Sequence, residues 1–269
     1  LAFHAPYGAH YSVRVPKFGR DLAYGKENCD LYVGAAGDEV YRLNLEAGQF
    51  KEPINLGFTG CNRLCINPMH RLLVAGGEGG IAEFWDARSK KAVSQQYIGA
   101  YLAETSNNHN KPTEITALAW DVDGLSLAVG TSDGNVLLYD IRSSKPLIVK
   151  EHQYGVPMVD INFHNASRHV VSTDQKVAKI WRRDGDDCGS ILTNVETPAD
   201  INATLMVSDR GHESGLMMMA VETTQQSKTG ASSSSAWVAA RSATCSESRA
   251  SSAASSAACA RGPGDERTG

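Results

Sequence analysis

The chain has 269 residues, 42% hydrophobic and 21% charged, a balance that supports a sizeable buried core and one large globular domain. Its net charge of -4 is uneven: residues 223–269 hold five basic and three acidic side chains, so that tail is +2 and the remainder -6, without the overall positive charge of an autonomous nucleic-acid binder. No run approaches the roughly 18 apolar residues of a membrane helix, residues 1–5 are too short and uncharged for a signal peptide, and scattered cysteines (Cys29, Cys61, Cys65, Cys188, Cys245, Cys259) fit a reducing compartment.

The first residue is Leu1, and strand-like sequence begins at once in Leu1-Ala2-Phe3 and again in residues 11–15, so the chain reads as a fragment whose start is missing. An alternating strand, Arg20-Asp21-Leu22-Ala23-Tyr24, then leads into a hairpin from Asp30 to Asn44 that contains Val33-Gly34 and Val40-Tyr41. A second, Arg63-Leu64-Cys65-Ile66, precedes a hairpin from Leu72 to Ser89. A third, residues 115–120, precedes one from Ser126 to Ser143. Laid over each other, these two hairpins match Gly76 with Gly130, Gly80 with Gly134, Asp86 with Asp140 and Arg88 with Arg142, every pair 54 apart. Asp133-Gly134 supplies the positive-φ position of a tight turn. Residues 104–112 are polar and read as a loop of about ten extra residues. A fourth strand, Val159-Asp160-Ile161-Asn162-Phe163, leads into residues 169–181, and a fifth unit opens at Asp200 and fades after Glu222. Nothing here has the length and 3.6-residue stripe of a helix.

The aromatic ends of these hairpins, Tyr41, Trp85, Tyr139 and Trp181, are spaced by 44, 54 and 42 residues, the period of a four-stranded propeller blade. The expected fold is therefore all-β: an incomplete WD40-type β-propeller over residues 1–222, with about four blades and part of a fifth. Beyond Thr223 roughly half the residues are Ala or Ser. Such a tail cannot bury enough apolar surface to offset its ordering entropy, so residues 223–269 are expected to be disordered, and the abrupt composition change reads as a gene-model artefact.

Beyond this generic pattern, residues 14–24, Cys29-Asp30-Leu31-Tyr32, residues 39–46, Ala128-Val129-Gly130-Thr131, residues 134–143, Lys145-Pro146-Leu147 and residues 149–157 together resemble the nucleolar protein 10 family of WD-repeat proteins, in the same order. The resemblance covers about residues 1–222. It implies a non-enzymatic nucleolar scaffold in small ribosomal subunit assembly and pre-18S rRNA processing. The implied partners are other small-subunit processome proteins, with pre-rRNA as a second class, and no cofactor, membrane or small-molecule substrate.

Candidate sites divide into packing and surface. Trp85, Asp86, Asp133, Gly134, Tyr139, Asp140, Trp181 and Tyr41 read as structural blade positions, and His152, Ser172 and Trp181 as parts of a blade-rigidifying hydrogen-bond network. Asp174 stands seven residues before Trp181, one more than the usual spacing, which argues against its joining that network. Residues 76–80 superficially resemble a phosphate loop, but a strand and not a helix follows, and no Lys-Ser/Thr pair is present. Cys61 and Cys65, with His70 nearby, lack the further ligands that zinc needs. Asp186-Asp187 sits in a Gly-rich turn, and no nucleophile elbow or Ser, His and Asp set appears in a persuasive context; neither a catalytic nor a metal site is expected. Arg14, Lys17 and Arg20 line one strand and its exit, and Lys145 and Lys150 flank Pro146; both groups suit RNA phosphates. His152 and Tyr154 fall in a connection expected on the rim, where protein contact is favoured. Asp-x-Arg at Arg88 and Arg142 also resembles the motif by which WD-repeat substrate receptors join cullin-4 ubiquitin ligases, an alternative function.

Overall fold

The computed structural model describes residues 2–4, 8–88, 91–105, 112–209, 212–225 and 232–241. A short hairpin, β1 (Ala2–His4) and β2 (Gly8–Tyr11), precedes five antiparallel sheets. The first comprises β3 (Gly19–Gly25), β4 (Asp30–Ala35), β5 (Glu39–Asn44) and β6 (Gln49–Asn55). The second comprises β7 (Cys61–Ile66), β8 (Leu72–Gly77), β9 (Ile81–Asp86) and β10 (Lys91–Tyr97). The third contains β11 (Ile115–Trp120), β12 (Ser126–Thr131), β13 (Asn135–Asp140) and β14 (Ile148–Glu151), and the fourth β15 (Met158–His164), β16 (His169–Asp174), β17 (Val177–Arg182) and β18 (Ile191–Glu196). A three-stranded sheet follows: β19 (Ile201–Asp209), β20 (His212–Gln225) and β21 (Ser232–Arg241). In every sheet strand order equals chain order, the meander that short turns dictate. These are the four blades and partial fifth that the period implies.

The alternating strand that opens each unit is its innermost. β3, β7, β11, β15 and β19 lie side by side around the axis, each packed on the next. Their apolar residues alternate with polar ones, and the apolar set points at the preceding sheet. Leu64 packs into a core with Tyr32, Val40 and Ile54 of the first sheet. Ile115, Leu127 and Leu137 meet Val74 and Ala82, while Ile161, Val170 and Trp181 meet Ala128, Val136 and Leu138. The core is thus a series of layers between sheets. Gly76 and Gly130 occupy one register position in these layers. A Cβ on Gly76 would lie 2.7 Å from Ile115 Cγ2, and one on Gly130 2.8 Å from Met158 Cβ. Only glycine lets the next inner strand come this close.

The same register position shows what a neighbouring sheet contributes. Leu64 and Ile161, fourth in β7 and β15, are 6% and 2% exposed. Leu22, fourth in β3, is 61% exposed because no described sheet covers that side.

Three expectations need correction or refinement. Tyr41 is not the counterpart of Trp85: Trp85 pairs with Leu73 across β8–β9, and the equivalent pair across β4–β5 is Leu31 with Leu43. Tyr41 faces Val33 instead, so choosing the nearest aromatic shifted the first unit by two residues. A helix is also present, α1 (Ile98–Thr105), too short to show a stripe in sequence. It is held by Ile98 and Leu102, one turn apart and both buried, and it reaches into the expected loop, whose residues 106–111 lie outside the described residues. Finally, strand order does not break at residue 222. β20 runs to Gln225, and β21 pairs with it through backbone hydrogen bonds that need no apolar side chains; residues 226–231 and 242–269 of the tail lie outside the described residues.

Candidate functional site

The fourth sheet contains the most complete buried polar network. His152, just after β14, places Nδ1 2.9 Å from Asp174 Oδ2 and Nε2 2.8 Å from Ser172 Oγ. Trp181 Nε1 donates to the same Ser172 Oγ at 3.1 Å. A carboxylate only accepts, so Nδ1 carries the proton, Nε2 accepts from the Ser172 hydroxyl, and the chain runs unbroken from indole to carboxylate. Burial pushes the His152 pKa below its ordinary value, against the smaller opposing pull of Asp174, so the ring is neutral. Asp174 belongs to this network despite its spacing. Its other oxygen accepts the backbone N–H groups of Lys176 and Val177, both at 2.6 Å, and so closes the two-residue turn between β16 and β17, one residue shorter than the equivalent turns of the first three sheets. The arrangement has the connectivity of a nucleophilic triad, but His152, Ser172, Asp174 and Trp181 are all buried. It ties sheet three to sheet four and presents no nucleophile to solvent.

A second network runs around the starts of the inner strands. All five carry the same register slip near their first residue, between Gly19 and Asp21, Cys61 and Arg63, Ile115 and Ala117, Met158 and Asp160, and Ile201 and Ala203. Such bulges re-aim side chains. From them Arg20 reaches Asn62 at 2.5 Å and Glu78 at 2.8 Å, and Asn62 donates to the Ile115 carbonyl at 3.1 Å. Arg63 crosses further, donating to the carbonyls of Thr116 at 2.8 Å and Val159 at 2.9 Å, with Asp21 4.0 Å away. At equivalent places Asp21 accepts the N–H of Leu64 at 2.7 Å, and Asp160 the hydroxyl of Thr204 at 3.2 Å. Burial, partly offset by these bonds, holds the Asp160 carboxyl above its usual range. Sequence reasoning passed over Arg63, Asp21 and Asp160, although the recurrence of Asp21 and Asp160 two residues into equivalent strands was a usable signal.

The basic candidates do not form one patch. Arg14 is exposed and has no side-chain ion pair among the described residues. Lys17 pairs with Asp38 at 3.0 Å and Arg20 with Glu78. Lys145 is exposed in the turn after β13, at the opposite ends of the strands from Arg14. Lys150 lies in the outer strand β14 and donates to the Gly189 carbonyl. His152 is consumed by the buried network, whereas Tyr154 remains 46% exposed with Lys176 Nζ 6.0 Å from its ring centre. Asp86 and Asp140 each accept the N–H of the residue two ahead, Arg88 at 2.9 Å and Arg142 at 2.8 Å, so Asp-x-Arg here closes a turn. Tyr139 is buried, its pKa pushed up to about 12 by burial and Tyr101; Gly134 has φ of +78°, and Asp133 accepts from Thr113.

Of residues 76–80, Gly76 and Gly77 end β8 and Glu78–Gly80 form a 3-10 turn that leads into strand β9. Cys61 and Cys65 are free thiols in β7. Burial pushes both up, Cys61 to about 12, and no group of three His, Cys, Asp or Glu gathers for a metal among the described residues. No helix among the described residues is long and apolar enough to cross a membrane.

Comparison with known proteins gives one consistent result. The family model described as nucleolar protein 10-like, N-terminal domain, matches residues 1–229. The chain is 42% identical over 205 residues to ribosome biogenesis protein ENP2 of Saccharomyces cerevisiae, covering 75% of this chain and 28% of that protein. It is 40% identical over 220 residues to the ribosome biogenesis protein enp2 homolog of Schizosaccharomyces pombe, covering 78% and 34%. It is 37% identical over 223 residues to nucleolar protein 10 of Homo sapiens, covering 83% and 31%. The chain therefore spans about a third of the length of these relatives. A chain of the crystal structure of the mitotic checkpoint complex superposes with a TM-score of 0.67 at 17% identity, covering 88% of this chain and 70% of that one, a likeness of fold alone.

Proposed function

Because the chain belongs to the nucleolar protein 10-like family, we propose that it is a non-enzymatic nucleolar scaffold in ribosome biogenesis, acting in small-subunit assembly and pre-18S rRNA processing. The family match over residues 1–229 carries this reading. The fold supports it physically. Layered sheets cross-tied by Arg63 and by the His152 network make a rigid base, and the connecting turns display side chains around it. The partners are other small-subunit assembly factors, with pre-rRNA phosphates a second class served by Arg14, which is exposed and has no ion pair among the described residues. The ubiquitin-ligase alternative gains no support: Asp86 and Asp140 are engaged in their own turns, and the comparisons point elsewhere.

Sedimentation and depletion test the proposal. The protein should co-sediment with large pre-ribosomal particles, and its depletion should lower 18S but not 28S rRNA. Normal 18S maturation after depletion would reject it.

A further inference from the structure

Between the second and third sheets lies a cavity of about 150 Å³, walled by Phe84, Ile98, Trp120, Leu127, Tyr139 and Ile141. Both sheets have all four strands, so the cavity does not come from a missing neighbour. Its volume is that of a cavity that holds a benzene ring, about the size of one Leu or Phe side chain. Trp120 meets Phe84 edge to face at 6.3 Å, yet its indole N–H is buried without an acceptor. A buried donor left unpaired is costly, and it marks this sheet-to-sheet contact as imperfectly packed.

The rim extends the apolar surface and adds charge. Val93 lines the cavity and is 59% exposed, and Leu125, 37% exposed, accepts the N–H of lining residue Ile141 at 2.9 Å. Arg142 stands between lining residues Ile141 and Ser143, Lys145 two residues beyond Ser143, and Lys91 two residues before Val93. None of the three has an ion-pair partner among the described residues. Asp140, itself a lining residue, accepts the N–H of Arg142, and Asp86, across the strands from Lys91, accepts the N–H and the guanidinium of Arg88. A mainly apolar slot, with three exposed cations within two residues of its lining along the chain, favours one kind of occupant.

We propose that this slot docks a short acidic peptide segment of a partner protein, which inserts one aliphatic or aromatic side chain between the sheets. Its Asp and Glu residues meet Lys91, Arg142 and Lys145. The inference deepens the scaffold reading by naming the chemistry of one partner.

A random twelve-residue peptide library displayed against the purified chain tests it. Enriched sequences should carry a Leu, Ile, Phe or Trp within a few residues of several Asp or Glu. A labelled peptide of that consensus should bind with a shift in tryptophan fluorescence and lose at least tenfold in affinity on Ser94→Trp, which fills the slot from exposed β10, or on Val93→Arg. Arg142→Glu with Lys145→Glu should turn the preference toward basic flanks. No enrichment, enrichment of peptides without an anchor or without acids, or binding unchanged in the slot-filling variants overturns the proposal, as does selective binding of single-stranded RNA at the same cations. A protein that sediments with pre-ribosomal particles but enriches no such peptide loses this surface and keeps its scaffold role.

Discussion

Replacing His152 with alanine tests whether the buried network, and not apolar layering alone, joins the third sheet to the fourth. The variant loses the bond to the Asp174 carboxylate at 2.9 Å, about 1.5–3 kcal/mol for a bond to a charged group, and the bond from Ser172 at 2.8 Å, about 1 kcal/mol. It leaves Asp174 Oδ2 without its donor and the Ser172 hydroxyl proton without its acceptor, although Oδ1 keeps the N–H groups of Lys176 and Val177 and Ser172 Oγ keeps the Trp181 indole. The cost of an unpaired buried carboxylate oxygen adds to that of the lost bonds, and a destabilisation of about 3–5 kcal/mol follows, including the small cavity left behind. Urea unfolding monitored by tryptophan emission measures it, since Trp181 is buried beside the lost ring. Amide exchange along β16 and β17 should accelerate more than in the first sheet. His70→Ala, an exposed histidine in the β7–β8 turn, is the control and should change stability by less than about 0.5 kcal/mol. A loss below 1 kcal/mol at His152, or exchange accelerated uniformly across all sheets, would refute the reasoning.

Leu64→Ala should cost about 3–5 kcal/mol, whereas Leu22→Ala, at the same register position but 61% exposed, should cost under about 1 kcal/mol in this chain; equal costs would mean that the side of β3 away from β7 is covered. Arg63→Met should cost about 2–3 kcal/mol through the lost carbonyl bonds to Thr116 and Val159, and Arg63→Lys should not restore stability, because one ammonium cannot reproduce the guanidinium fork; rescue by lysine would show that charge alone matters. For pH, the folded pKa of His152 lies below its unfolded value of about 6.5. The unfolded state therefore binds more protons in the window between the two, so this contribution is complete above about pH 6.5 and is lost as pH falls toward the folded pKa. Unfolding midpoints between pH 8 and pH 5 should drop more for the parent chain than for His152→Ala, and parallel curves would contradict the assignment.

What could be read from the chain were features set by local periodicity. The two-residue alternation of residues 115–120 and 159–163, the glycines at Gly76 and Gly130, and the repeated Asp-x-Arg turns each act within one hairpin, and they sufficed for sheet order and blade number, while the family came from the resemblance carried by residues 14–46 and 128–157. Sequence spacing misled where structure tolerates an insertion. Asp174 joins its network one residue off the usual spacing because it stands at the end of β16, where its second oxygen closes a turn of only two residues, and Tyr41 drew the first unit out of register because an aromatic residue lay two positions from the equivalent Leu43.

Only the tertiary structure could decide which charged residues are spent on cohesion. Arg63 meets Val159, 96 positions away, and Arg20 meets Glu78, 58 positions away, through bulges that turn side chains across sheets. No local pattern encodes such a partner, because it depends on where separate sheets bring their strand starts. The same is true of the slot beside Trp120, whose walls come from two sheets and whose unpaired indole appears only when they pack. By itself the sequence determined a layered propeller, since burial of alternating residues needs only local order, and its resemblance over longer stretches pointed to the family. The packing of one sheet on the next decided which of its groups remain free to bind.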